Sequence, residues 1–204
     1  MKKTFPLDNV TPTIEYYDHN ATSFTDSTVS VDFSATQSEF LSRLLPNAHI
    51  LDFGCGSGRD ARLFMEQGFS VDAIDGSAEM CRFASEYTGL QVRQMMFQDF
   101  DAEDTYDGIW ACASLLHLTY TELENVFPKI EKALHTGGIM YASFKYGKFE
   151  GMRNGRYFTD MDEESFSVLI EKTGRLQIEK LWISTDVRPG REDEKWLNVL
   201  LRKI

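Results

Sequence analysis

"ILDFGCGSGRDARLF", residues 50–64, decides the fold. An apolar, strand-like run ends in glycines at 54, 56 and 58, and a helical pattern follows at once from Arg59. Gly54 and Gly56 let the backbone turn sharply and approach a ligand with no Cβ in the way. Gly58 opens the helix, whose free N–H groups favour an anion. The same glycines also serve tight packing alone, so the turn by itself leaves its purpose open. Its spacing narrows the choice. G-x-G-x-G is one residue shorter than the dinucleotide fingerprint G-x-G-x-x-G, and the lysine of a phosphate-binding P-loop is absent.

Outward from this turn, strands and helices alternate. Residues 49–54 predict a first strand and 59–67 a helix that Gly68 ends. A second strand is predicted at 69–75, then a helix at 77–87 with Ser77 as its N-cap. Further strands are predicted at 90–96, 106–114 and 137–145, with a helix at 121–134 that Pro128 should bend. This rhythm means an α/β fold, a parallel sheet with helices on both faces. The ending differs: a helix at 162–174 precedes two β-rich runs, 176–187 and 195–203, that read as a hairpin closing the sheet with an antiparallel edge. Two short helices, 13–24 and 35–45, precede the sheet.

The 204 residues fit one domain. Its expected parts are an N-terminal helical cap at 1–47, a cofactor-binding half at 48–145, and an acceptor-side lid, helix and closing hairpin at 146–204. Hydrophobic content of 42% with 26% charged residues reads as a soluble globular chain. No stretch is apolar for long enough to span a bilayer, and the N-terminus lacks the apolar core of a secretory signal. Cys55, Cys81 and Cys112 are scattered, without C-x-x-C, so neither a metal site nor a disulfide framework is expected and a reducing cytoplasm is the default. The net charge of −11 lies wholly before residue 151, because residues 151–204 carry 10 basic and 10 acidic side chains. An acidic body repels polyphosphate and counts against extended nucleic-acid binding.

Several residues stand where ligands of open α/β sheets bind, beyond the carboxyl ends of strands. Asp75 ends the second strand 17 residues past Gly58, near the spacing of a ribose-binding carboxylate. "QDF" at 98–100 and "ACASLLH" at 111–117 end the third and fourth. His117 is the leading candidate base, set against the plain reading of a histidine that serves loop backbone groups. Arg153, Arg156 and Tyr157 follow the fifth strand and Arg188 lies in the hairpin loop, as an anion-binding acceptor pocket or as a solvated charged loop.

"ILDFGCGSGRDA", "VDAIDGSAEM", "MFQDFD", "YDGIWACASLLHL" and "ALHTGGIMYASFK" together resemble the successive motifs of class I S-adenosylmethionine-dependent methyltransferases. "GCGSGRDA" is most similar to the small tellurite-resistance-type branch. The resemblance implies a Rossmann-like three-layer sandwich with a seven-stranded sheet in order 3-2-1-4-5-7-6, strand 7 antiparallel. It implies S-adenosyl-L-methionine as cofactor. It puts Asp52, Gly54, Gly56 and Gly58 near the methionine part, Asp75 on the ribose with Gly76 and Ser77 beside it, Asp99 and Phe100 at the adenine, and Ala113 against the cofactor. Tyr17, in "EYYDHNATSF", matches a tyrosine that closes over the cofactor. Asp52 reads equally as a buried carboxylate holding the turn through backbone bonds. The expected activity is methyl transfer to a small-molecule acceptor. A tRNA methyltransferase and a non-catalytic cofactor-binding partner protein are the alternatives.

Overall fold

The computed structural model describes residues 10–188 and 190–204. Strand β1 (His49–Phe53) pairs in parallel with β2 (Ser70–Asp75) on one side and β4 (Tyr106–Ala111) on the other. β3 (Arg93–Gln94) extends the sheet beyond β2, and β5 (Leu134–Lys145) extends it beyond β4, all parallel. β9 (Lys195–Lys203) then runs antiparallel to β5, and β8 (Leu176–Thr185) pairs antiparallel with β9 at the edge. The order β3-β2-β1-β4-β5-β9-β8 is the expected order of seven strands, with the last strand in sequence the antiparallel one.

Side chains alternate across each strand, and both faces are apolar because both are covered. One face carries Leu51, Phe53, Ile109, Ala111, Met140, Ala142, Val199 and Leu201. Helices α5 (Tyr120–Ala133) and α6 (Glu163–Glu171) pack there through Val126, Phe127, Ile130, Phe166 and Leu169. The other face carries Ile50, Ala73, Trp110, Tyr141 and Leu200, covered by α2 (Ser34–Leu41), α3 (Arg59–Glu66) and α4 (Ala78–Thr88). Trp110 is its anchor. Its ring lies 4.1 Å from Tyr141, stacked, and 5.1 and 5.4 Å from Phe40 and Phe64. Truncating such a ring to alanine costs about 3–5 kcal/mol.

The structure departs from the sequence reading where local pattern is a weak guide. β3 is two residues rather than seven, with both side chains exposed at the sheet edge. α1 (Val10–Thr28) is longer than expected and α2 shorter. α5 runs through Pro128 to Ala133 as one helix. The segment after β5 holds an unforeseen hairpin, β6 (Glu150–Arg153) with β7 (Arg156–Thr159). This hairpin, α1 and the loop between β8 and β9 stand over the carboxyl ends of the parallel strands.

Candidate functional site

A cavity of about 530 Å³ opens at those strand ends. Gly54 (φ +89°) leaves β1, and its N–H, like that of Cys55, donates to the Ile74 carbonyl at 3.0 Å, tying the turn to β2. A Cβ on Gly54 would stand 2.4 Å from the Ser114 Cβ, while one on Gly56 (φ +53°) would meet only a Phe24 ring carbon at 3.5 Å. Gly54 is therefore needed for packing between the first and fourth strand ends, and Gly56 leaves open space on the cavity side. Gly58 does not line the cavity: a Cβ there would meet Thr88 at 2.8 Å, so its bareness lets α3 and α4 approach.

Asp52 also lies outside the lining. It is buried and accepts from the Ala61 N–H at 3.1 Å, holding the first turn of α3 from beneath. Burial, and then the nearby Asp60 charge, push its carboxyl well above the usual carboxylate range. Of its two readings, the observed contact is the structural one.

Asp75 lines the cavity. One carboxylate oxygen accepts from the Gly56 N–H and the other from the Ser77 N–H, both at 2.9 Å, so the residue welds the glycine turn to the start of α4. Burial raises its carboxyl, and these backbone bonds work against the rise. Gly76 lines the cavity beside it, under Ile14 of α1. Ser77 faces inward as a cap, accepting from the Met80 N–H at 3.1 Å and donating to Asp18 of α1 at 2.5 Å.

The expected adenine residues are displaced. Asp99 is exposed outside the lining, and Phe100 is buried with its ring 4.9 Å from Phe53. The residues just before them, Met96, Phe97 and Gln98, line the cavity instead, because the short 3-10 turn at 97–99 rotates the chain. Gln98 donates to Glu122 at 2.8 Å, and its Oε1 is buried without a partner. Ala113 lines the cavity in a left-handed conformation (φ +51°), its N–H donating to Ser143 at 2.8 Å. A non-glycine residue held there is strained, and such strain gathers at functional sites.

Arg59 belongs to this wall and the sequence reading gave it no role. Asp60 grips it through two bonds of 2.8 and 2.9 Å, and Asp60 is itself fixed by Gln37 and Trp110 at 2.6 and 2.8 Å. Its presence in the quoted motif, one residue past the last glycine, was the available signal.

The remaining half of the cavity is built from distant segments. Tyr17 Oη lies 2.9 Å from His117 Nε2, and His117 Nδ1 lies 2.7 Å from the Tyr157 carbonyl. A carbonyl only accepts, so Nδ1 carries the proton, Nε2 is the acceptor and Tyr17 is the donor. Burial, aided by the Arg156 charge and opposed by the Tyr157 bond, pushes His117 down to about 4, so it is neutral at pH 7. Burial holds Tyr17 above its ordinary range despite Arg156 beside it. Tyr157 does not line the cavity; its hydroxyl donates to Glu150 at 2.9 Å, and only its carbonyl serves the site.

The arginines differ sharply. Arg153 is paired with Asp160 at 2.6 Å and Arg188 with Asp186 at 2.5 Å. Asp186 also accepts from Trp196 at 3.0 Å; burial would raise its carboxyl, but the bonds from Arg188 and Trp196 hold it well below the usual range. Lys145 is paired with Asp186 and Glu194. Arg156 lines the cavity with no carboxylate partner among the described residues.

Residues 50–138 match the family described as "Methyltransferase domain". An uncharacterized methyltransferase of Bacillus cytotoxicus is 31% identical over 97 residues, 46% of this chain and 46% of that one. The chain spans about half the length of the curated relatives it matches. Among solved structures, the 1,6-didemethyltoxoflavin-N1-methyltransferase of Burkholderia thailandensis, crystallised with 1,6-didemethyltoxoflavin and S-adenosylhomocysteine, superposes with a TM-score of 0.77 at 20% identity, covering 100% of this chain and 92% of that one. A TehB-like S-adenosylmethionine-dependent methyltransferase of Corynebacterium glutamicum gives 0.68 at 18% identity, covering 94% and 98%. The fold is thus that of the class I methyltransferases, and the tellurite-resistance-type branch is one of several similar lineages.

Proposed function

We propose that this chain is an S-adenosylmethionine-dependent methyltransferase acting on a small-molecule acceptor. The observation that carries the reading is the joining of two differently built halves in one cavity. One half is the cradle made by the glycine turn, Asp75 and Ala113 at the parallel strand ends. The other is the aromatic and cationic chamber under α1 and the β6–β7 hairpin.

The cradle's chemistry fits the cofactor. Gly56 leaves a space that a side chain would fill, Asp75 has a carboxylate at the end of β2, and Gln98 Oε1 is a buried acceptor with no partner. Asp75 would hold the ribose hydroxyls, Gln98 Oε1 would accept from the adenine amino group, and Arg59 would face the methionine carboxylate. The bound sulfonium would supply an activated methyl group. This chain's own work is then to align the acceptor and to exclude water, for which proximity alone can contribute about 7–11 kcal/mol. Tyr17 closes the chamber from α1. The family match over residues 50–138 and the ligands of the Burkholderia enzyme support the same reading.

Titration calorimetry with S-adenosylmethionine, S-adenosylhomocysteine and NAD tests it, followed by S-adenosylhomocysteine release across a panel of small acceptors. Binding of the first two, absence of NAD binding and turnover with a small acceptor are expected. NAD binding without S-adenosylmethionine binding overturns the reading.

A further inference from the structure

Arg156 is the one half-buried cation lining the cavity that has no carboxylate partner among the described residues. Its guanidinium carbon lies 4.5 Å from the Tyr16 ring centre and 5.2 Å from that of Phe158, so its faces are covered by aromatic carbon. Nη1 donates to the Tyr17 oxygen at 3.3 Å, and among the described residues Nε is buried with no partner and Nη2 has no hydrogen bond. A guanidinium taken from water without a counter-charge is costly, and a neutral phenol is a weak substitute for one. The site lacks the negative charge that the neighbouring Arg153, Arg188 and Lys145 each have.

Most titratable groups in this part of the cavity are engaged with one another. His117 has both nitrogens engaged, and Tyr17 directs its proton to His117. Asp160, which lines the cavity, is paired with Arg153 through one oxygen, and its other oxygen is buried with no partner among the described residues. Asp186 is saturated by Arg188, Trp196 and Lys145, and Glu194 is taken up by Lys145 and Arg191.

We infer that the acceptor is a planar aromatic anion, ionised before transfer, whose charge pairs with Arg156 beside the rings of Tyr17 and Phe158, which line the cavity with it. The inference rests on the methyltransferase reading and specifies its substrate. A lone pair of the anion forms the bond to the methyl carbon, the sulfur keeps the electron pair of the broken carbon–sulfur bond, and both products leave neutral at the reacting atoms. No proton has to be placed.

The test loads the protein with S-adenosylhomocysteine and titrates it at pH 6 with 4-nitrophenol, which ionises near neutral pH and is yellow only as the phenolate, and with benzoate. Nitrobenzene and benzamide are the neutral controls. The phenolate band should grow on binding, and at least one of the two anions should bind at least tenfold tighter than its neutral control. Arg156→Gln should weaken anion binding at least tenfold and abolish the band, Arg156→Lys should restore part of both, and S-adenosylhomocysteine affinity should stay within twofold in each variant. Anions that bind no better than the neutral controls, or equally well in Arg156→Gln, overturn the anionic acceptor while leaving the methyltransferase reading intact. Failure of the wild-type protein to bind S-adenosylhomocysteine overturns both, and is read in a separate titration without any probe.

Discussion

The Tyr17 hydroxyl and His117 Nε2 meet at 2.9 Å, joining the helix that precedes the sheet to the turn that follows β4. With Nδ1 committed to the Tyr157 carbonyl, His117 has no nitrogen left for a substrate. The pair ties α1 to the turn after β4, and the same Tyr17 oxygen accepts from Arg156 at 3.3 Å.

Tyr17→Phe and His117→Asn should therefore lower kcat by similar factors, about tenfold, near the worth of one buried hydrogen bond. The double variant should be no worse than either single one, since both remove the same contact. Steady-state kinetics of the three variants check this. A loss of roughly 10²–10⁴-fold confined to His117→Asn, with an altered pH profile, would instead identify a general base.

His117 should also make stability depend on pH. Its folded value of about 4 lies below the ordinary histidine value of 6.5, so on acidification the unfolded chain takes up this proton first. The contribution is fully present above the ordinary value and is lost as pH falls toward the folded one. Screening of the partly exposed ring leaves about 1–2 kcal/mol between pH 7 and pH 5. Denaturant titrations at the two pH values should give a smaller difference for His117→Asn by that amount.

The two glycines of the turn should separate fold from ligand binding. Gly54→Ala drives a Cβ to 2.4 Å from Ser114 and should cost about 3 kcal/mol or more, read as a fall in Tm. Gly56→Ala meets ordinary contact distances, so the strain of a left-handed alanine, about 1 kcal/mol, is its main penalty for folding. Its circular dichroism should be native while its affinity for S-adenosylhomocysteine drops at least tenfold. Native affinity in Gly56→Ala would mean that this face of the turn is not the ligand side.

If Asp75 holds the ribose as proposed, Asp75→Ala should weaken S-adenosylhomocysteine binding by about 100-fold or more, because two charge-assisted bonds are worth roughly 3–6 kcal/mol together. It should lower Tm as well, since the Gly56 and Ser77 N–H groups lose their acceptor. Calorimetry paired with thermal melts separates the effects. A fall in Tm with unchanged affinity would restrict Asp75 to holding the turn.

What could be read in the chain alone was whatever is written in local periodicity. Strands buried on both faces appear as apolar runs, and the amphipathic helices between them leave few topologies for a right-handed parallel sheet. The glycine turn and Asp75 were legible for the same reason: they sit at fixed offsets from a strand end. The two-residue β3 and the rotation that exchanges Asp99 and Phe100 for Phe97 and Gln98 were not, because a 3-10 turn changes which side chain faces inward without changing composition. The half of the cavity under α1 and the β6–β7 hairpin was decided by tertiary structure. Arg153, Arg156 and Arg188 look alike in sequence, yet only Arg156 is left without a carboxylate, and its phenol partner lies 139 residues away. Charge pairing depends on which distant elements the fold brings within a few ångströms, here the β6–β7 hairpin and α1.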